Sequence, residues 1–204
     1  MKAIIYDWGG LNVWLFHAIN SVHAPLLDWL MLLATRLGDH ENFPLYLGLT
    51  ALFGVAARQR SAFSASPRAQ VWLTVVAIFS LAYVLDGLLL SWLKPLLDFP
   101  RPLLALPPGS VVVVGTPELH HSLPSGHSSF AMLVCASLWP AFERKGRLAA
   151  SAFVIWVGLS RVSLGAHFPA DVVAGFLSSL LIVLTVRYTI LTVTGSRSRT
   201  GGLA

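Results

Sequence analysis

Long apolar runs broken by short polar turns set the pattern of this chain. Residues 43–57, 70–93, 126–142, 148–160 with their flanks, and 168–190 each read as a membrane-crossing helix. Residues 11–37 form an earlier apolar region, interrupted by Asn12, His17, Asn20, His23, Pro25 and Asp28. Its cleaner part, Leu26 to Leu37, is short for a span. A bent helix crossing from about residue 15 fits, and so does an interfacial helix followed by a partial span. Gly38-Asp39-His40-Glu41-Asn42 is a polar turn, and Arg58, Arg60, Ser61, Ser64, Ser66, Pro67 and Arg68 mark a loop. The connection 94–125 holds seven prolines and is too long for a simple connector, so function is expected there. Val111 to Val114 inside it predicts a short extended piece. The fold expected is all-α: a polytopic membrane bundle of about six helices. It forms one domain over residues 1–194, followed by a flexible Gly/Ser/Thr/Arg-rich tail, 195–204.

Composition agrees with the pattern. Of 204 residues, 55% are hydrophobic and 11% charged, with a mean hydropathy of +0.71; a soluble domain carries about 25% charged residues. The net charge of +5 does not call for nucleic acid, because the basic residues sit in short loops between spans. Their distribution orients the chain instead. One set of loops holds Arg58, Arg60, Arg68, Arg144, Lys145, Arg147, Arg187, Arg197 and Arg199 and is expected to be cytoplasmic. The other set holds the 38–42 turn, the 94–125 connection and the 160–167 turn, and is expected to face outward. The stretch after Met1-Lys2, with Asp7, Gly9 and Gly10, does not read as a cleavable signal. Cys135, the single cysteine, lies in an apolar run and reads as packing. The seven tryptophans read as interfacial anchors.

The unexplained polar residues all fall on the outward side. Arg161, His167 and Asp171 lie between two apolar runs, where charge is expensive and marks a functional site. Pro169 suits the first turn of a helix. His167 then lies at its mouth and Asp171 one turn in, on the same face. The carboxylate can hold one imidazole nitrogen and leave the other free to attack. Lys94 and Arg101 add two cations, and three converging cations suit phosphate. Ser125-Gly126, immediately before a helix, adds backbone N–H groups and a helix N-terminus. With His127 and His167 both present, one histidine can attack phosphorus while the other protonates the leaving oxygen.

Three motifs carry a family resemblance. They are Lys94, six residues, then Arg101-Pro102; Pro124-Ser125-Gly126-His127; and Ser160-Arg161, five residues, His167, three residues, Asp171. Their order and spacing resemble the signature of the type 2 phosphatidic acid phosphatases, with bacterial lipid-phosphate phosphatases, glucose-6-phosphatase and vanadium haloperoxidases. The likeness covers about residues 70–190. It implies a helical core in which His167 forms a phosphohistidine, Asp171 orients it and His127 is the general acid. It implies that Lys94, Arg101, Ser125, Gly126 and Arg161 bind phosphate, with no metal and no cofactor. The haloperoxidase branch is soluble and much longer, so the chain resembles the membrane phosphatase branch. The expected partner is a phosphorylated lipid among membrane lipids. Undecaprenyl diphosphate, cleaved at the outer face of a bacterial cytoplasmic membrane, is favoured for the compact chain and its short N-terminal segment, Leu15 to Asn20. Phosphatidylglycerophosphate or phosphatidic acid is the alternative.

Other readings remain open. His17, His23 and His40 read as packed or hydrogen-bonded structural groups, and His120 and His121 carry no assigned role. Asp86 is expected to pair with a basic residue near the site, Asp28 to start a helix, and Asp98 to form a turn. A catalytic metal is disfavoured, because Arg161 is a poor neighbour for a cation. A phosphotransferase passing phosphate to a second lipid shares the same motif. A non-enzymatic lipid-binding or transport protein is the reading from another class.

Overall fold

The computed structural model describes residues 6–59 and 67–200. Arg60, Ser61, Ser64 and Ser66 of the expected loop, and residues 201–204 of the expected tail, lie outside the described residues. Among those described there are seven helices and no strand. They are α1 (Leu11–Asn20), α2 (Pro25–Leu37), α3 (Phe43–Gln59), α4 (Pro67–Leu97), α5 (Gly126–Leu138), α6 (Arg144–Ser163) and α7 (Pro169–Thr200). A single helical turn, Pro102–Ala105, follows α4.

The first apolar region is two helices, broken at Ser21–Ala24 where Pro25 opens α2. At 1.5 Å per residue they reach about 15 Å and 20 Å, less than a hydrocarbon core of about 30 Å. Among the described residues, Val71–Ala105 and Pro169–Thr194 are the two stretches long and apolar enough to cross by themselves. The third expected span does not stop at residue 93: α4 continues through Lys94 and Pro95 to Leu97. Pro95 has no N–H to offer the Ser91 carbonyl, and the helix ends two residues beyond it. The extension places Asp86, Leu90 and Lys94 on one face, four residues apart.

Val111 to Val114 is not a strand. It is irregular chain pinned by side chains instead of a ladder. The Asn20 amide donates to the Val112 carbonyl at 2.7 Å, and its oxygen accepts from the Val112 N–H at 2.9 Å. The Val114 N–H reaches the Leu164 carbonyl at 3.2 Å. Gly165, at φ +75°, lies against the Val112 carbonyl so closely that no Cβ fits.

The main core joins α4, α5 and α7 through Ile78, Phe79, Ala82, Phe130, Leu133, Val183 and Val186. Asp86 is buried at the site end of this core. The expectation that it pairs with a base is not met: it accepts from Ser129 Oγ at 2.8 Å and from Ser179 Oγ at 2.7 Å. Hydroxyls on two neighbouring helices satisfy it without a second buried charge. A smaller cluster of Phe16, Val162, Phe168 and Val172 seats α1 under the α6–α7 turn.

α5 and α7 are in close contact at Gly175. A Cβ there would stand 2.5 Å from the Ser125 carbonyl oxygen and 3.1 Å from the Ser129 nitrogen. Gly175→Ala is therefore expected to cost about 1–3 kcal/mol by overpacking. Thermal unfolding in detergent should show a loss of several degrees; an unchanged melting temperature would mean that the two helices are not locked at this spacing.

Candidate active site

At the end of the bundle where α4 stops and α5 and α7 begin, a cavity of about 560 Å³ opens. Lys94, Arg101, Gly126, His127, Arg161 and His167 line it. Six of the eight expected site residues thus meet in one space, and Ser125 and Asp171 stand directly behind its wall. The turns 38–42 and 164–168 and the long connection converge here, as their placement on one side predicts.

His167 is buried, held between Asp171 and Arg101. Its Nδ1 lies 3.4 Å from Asp171 Oδ2 and 3.4 Å from Ser122 Oγ. Its Nε2 faces the cavity, 3.2 Å from an Arg101 Nη. A guanidinium only donates, so Nε2 is the acceptor and the ring proton belongs on Nδ1, toward the carboxylate. This tautomer keeps the Nε2 lone pair on the cavity side, where it accepts from Arg101 and becomes a nucleophile once that contact is released. Burial lowers the pKa of His167 to about 3, while Asp171 pulls it the other way.

Asp171 is fully buried and well supplied with donors. Ser122 Oγ donates to Oδ2 at 2.5 Å, the Phe168 N–H to Oδ2 at 2.9 Å, and Tyr6 OH to Oδ1 at 2.7 Å. Burial, then the Asp171 charge, raises the Tyr6 pKa, so the phenol remains a donor. The first turn of α7 is further held by the Asn12 side-chain oxygen, which accepts from the Ala170 N–H at 2.9 Å.

The cations are only partly engaged. Arg101 donates to the His120 carbonyl at 2.9 Å and to the Ala166 carbonyl at 3.3 Å, and pairs with Glu118. Arg161 gives one arm to Thr35, while its buried Nε has no partner among the described residues. The Lys94 ammonium lies over Gly126, 3.7 Å from where a Cβ would be, so the missing side chain keeps the approach to the helix N-terminus open. Ser125 differs from expectation in one respect: its N–H donates to the Asp171 carbonyl at 3.0 Å. The free N–H groups at this helix start come from the residues after it. The partnerless Arg161 Nε and the Lys94 ammonium, beside the anchored Arg101 and one helix N-terminus, together suit a phosphoryl group.

His127 lies across the cavity, with Nε2 3.6 Å from Asp39 Oδ2. Sequence reasoning passed over Asp39, Tyr6, Ser122, Thr35 and Glu118. Asp39 carried a signal, since it lies in a polar turn on the same side; Tyr6 carried none. His40 is no packed residue but part of the cavity wall, and His120 and His121 also line it, both near Asp98. His23 holds to its structural reading, bonded to Asp28 at 2.8 Å and to the Asn20 carbonyl at 2.7 Å. No group of three or more His, Cys, Asp or Glu side chains placed to hold a metal occurs among the described residues.

The family model of the PAP2 superfamily matches residues 70–194, which contain all three motifs. The chain belongs to the PAP2 superfamily. A lipid A 1-phosphatase of Rhizobium johnstonii is 32% identical over 173 residues, covering 81% of this chain and 69% of that protein. An undecaprenyl-diphosphatase of Sulfolobus acidocaldarius is 27% identical over 171 residues, covering 82% and 73%. The crystal structure of Aquifex aeolicus LpxE superposes with a TM-score of 0.70 at 26% identity, covering 86% of this chain and 94% of that one. The family and these relatives together support a membrane phosphatase of lipid phosphates.

The buried neutral imidazole of this PAP2 protein has a consequence for stability. Its pKa is lower folded than unfolded, so the unfolded chain binds the extra proton as pH falls below about 6.5. The stability it contributes is present above that pH and is lost progressively toward pH about 3. His167→Gln should therefore flatten the fall in melting temperature between about pH 7 and 4 in detergent. A fall as steep as in the wild type would show that His167 is not held neutral.

Proposed function

We propose that this protein removes a terminal phosphate from a membrane lipid through a phosphohistidine at His167. The observation that carries the proposal is the His167 Nε2 lone pair facing a cavity ringed by Arg101, Lys94 and Arg161. Nε2 attacks phosphorus, and the bond from phosphorus to the lipid oxygen breaks as His127 delivers a proton to that oxygen. Asp171 accepts the Nδ1 proton in a hydrogen bond and steadies the charge on the ring. Water, giving its proton to His127, then attacks the phosphohistidine. The P–N electron pair returns to Nε2 and inorganic phosphate leaves. The three cations, with the α5 N-terminus, stabilise the charge that grows on the equatorial oxygens. No metal takes part in this scheme. The site faces outward from a bacterial cytoplasmic membrane, as the basic loops at the opposite end indicate.

For the lipid, we propose one whose phosphate departs from a leaving group better than a simple alkoxide. Lipid A 1-phosphate is the first reading, supported by the Rhizobium relative. Undecaprenyl diphosphate, favoured from the compact chain, is the second, supported by the Sulfolobus relative. Phosphate release by purified protein in EDTA separates them, with lipid A 1-phosphate, undecaprenyl diphosphate, phosphatidylglycerophosphate and phosphatidic acid compared side by side. His167→Ala should lower release at least about a thousandfold while the protein still folds. Retained turnover would refute the nucleophile, and activity restored only by added metal would refute the mechanism. A preference for the glycerolipids would overturn both substrate readings.

Loss of the general acid should depend on the leaving group. His127→Ala is expected to slow phosphatidic acid by about 10²–10⁴ and the diphosphate by much less. Equal losses on both substrates would count against proton delivery by His127.

A further inference from the structure

A second cavity, of about 540 Å³, opens on the lipid-facing side of the bundle between α5, α6 and α7. It is separate from the phosphate site. Met132 and Ala136 line it from α5 and Trp139 from the turn that follows, whereas Gly126, His127 and Phe130 of α5 line the first cavity. At about 100° per residue these two sets fall on opposite sides of α5. α7 contributes Leu180, Leu184 and Arg187, one stripe at helical spacing. Arg187 is 18 residues beyond Pro169, and so about 27 Å from the active-site end of α7. That distance reaches nearly across a hydrocarbon core of about 30 Å, so the groove lies in the opposite half of the bilayer from the phosphate site.

Its polar end is cationic. Arg187 is half-buried in the groove wall and has no partner among the described residues. The exposed Arg147 stacks its guanidinium over Trp139, 5.4 Å from the ring centroid. Arg144 and Lys145 precede it at the same end. The remaining wall, with Cys135 and Val154, is apolar apart from Ser151. An apolar slot that ends in two guanidinium groups with no carboxylate partner among the described residues, at interface depth, matches a lipid with a net negative head. Acyl chains fill the slot, and the phosphate takes the fork of Arg187 and Arg147. A second copy of the chain fits less well, because a two-fold contact over this patch brings its arginines toward each other.

We propose that the α5–α6–α7 groove is a binding site for an anionic glycerophospholipid of the leaflet opposite the active site. The test uses the full-length protein in mild detergent. Phosphatidylglycerol and chain-matched phosphatidylcholine are titrated, with retained lipid counted by native mass spectrometry and melting temperature followed in parallel. Phosphatidylglycerol should be retained at saturation and should raise the melting temperature more than phosphatidylcholine does. Arg147→Gln with Arg187→Gln should weaken its affinity about tenfold or more, while Arg147→Lys with Arg187→Lys largely restores it. Phosphate release from the preferred lipid phosphate, in detergent without added phosphatidylglycerol, should stay unchanged in both, since neither arginine lines the first cavity. Equal affinity for the two lipids, or undiminished affinity in the glutamine variant, overturns the proposal. So does dimerisation by light scattering that the glutamine variant abolishes, which would make the groove an interface between copies. If the glutamine variant does not fold, Ala136→Trp fills the slot and keeps both arginines. It should lose the retained phosphatidylglycerol, and undiminished retention would overturn the proposal.

Discussion

A carboxylate buried completely at one end of an apolar bundle must be met by donors, or it unravels whatever buries it. Asp171 gathers them from separate parts of the chain: the phenol of Tyr6 ahead of α1, the Ser122 hydroxyl in the long connection, and His167 and the Phe168 amide in the α6–α7 turn. Each donor carries its own segment into place. The N-terminal residues close one side, the connection folds over the top, and the imidazole is turned so that Nε2 faces the cavity. The Asp171 backbone also takes the Ser125 N–H, which ties the start of α5 to the start of α7. The position of the imidazole, the register of two helices and the path of a proline-rich loop therefore depend on the same group.

The cations show the complementary arrangement. Arg101 is anchored by two carbonyls and Glu118, so it is fixed before any substrate arrives. Lys94 and Arg161 retain free donors, which a phosphoryl group can use without first breaking strong contacts. The helices beneath are made rigid by small contacts: Gly175 lets α7 lie against α5, and Asp86 draws Ser129 and Ser179 together below the site. α5 serves two surroundings at once. One face carries His127 toward the first cavity, and the other lines the groove that ends in arginine.

Much of this was legible in the residues. The apolar runs located the helices, and the three motifs located side chains that line one cavity, because both signals are local. Motif residues adjacent in sequence share a helix end, and the 3.6-residue period then determines which of them share a face. The break at Ser21–Ala24 was half-visible, since Pro25 and the polar residues before it argued against one straight helix. Asp86 was misread because charge pairing in a membrane is the common pattern, and two serines from other helices gave it a cheaper solution. Ser125 was read as an amide donor to ligand because its partner, the Asp171 carbonyl, is far along the chain.

By itself, the sequence determined that the chain lives in a membrane, that it is helical, and which polar side chains it must shelter there. Hydrophobicity and helical period are properties of neighbouring residues, and they survive without any knowledge of the fold. Only the tertiary structure decided who satisfies each buried charge. A hydrogen bond requires two atoms within about 3 Å, and Tyr6 and Asp171 meet that condition although they are 165 residues apart. No pattern along the chain encodes that meeting; it follows from how the helices pack.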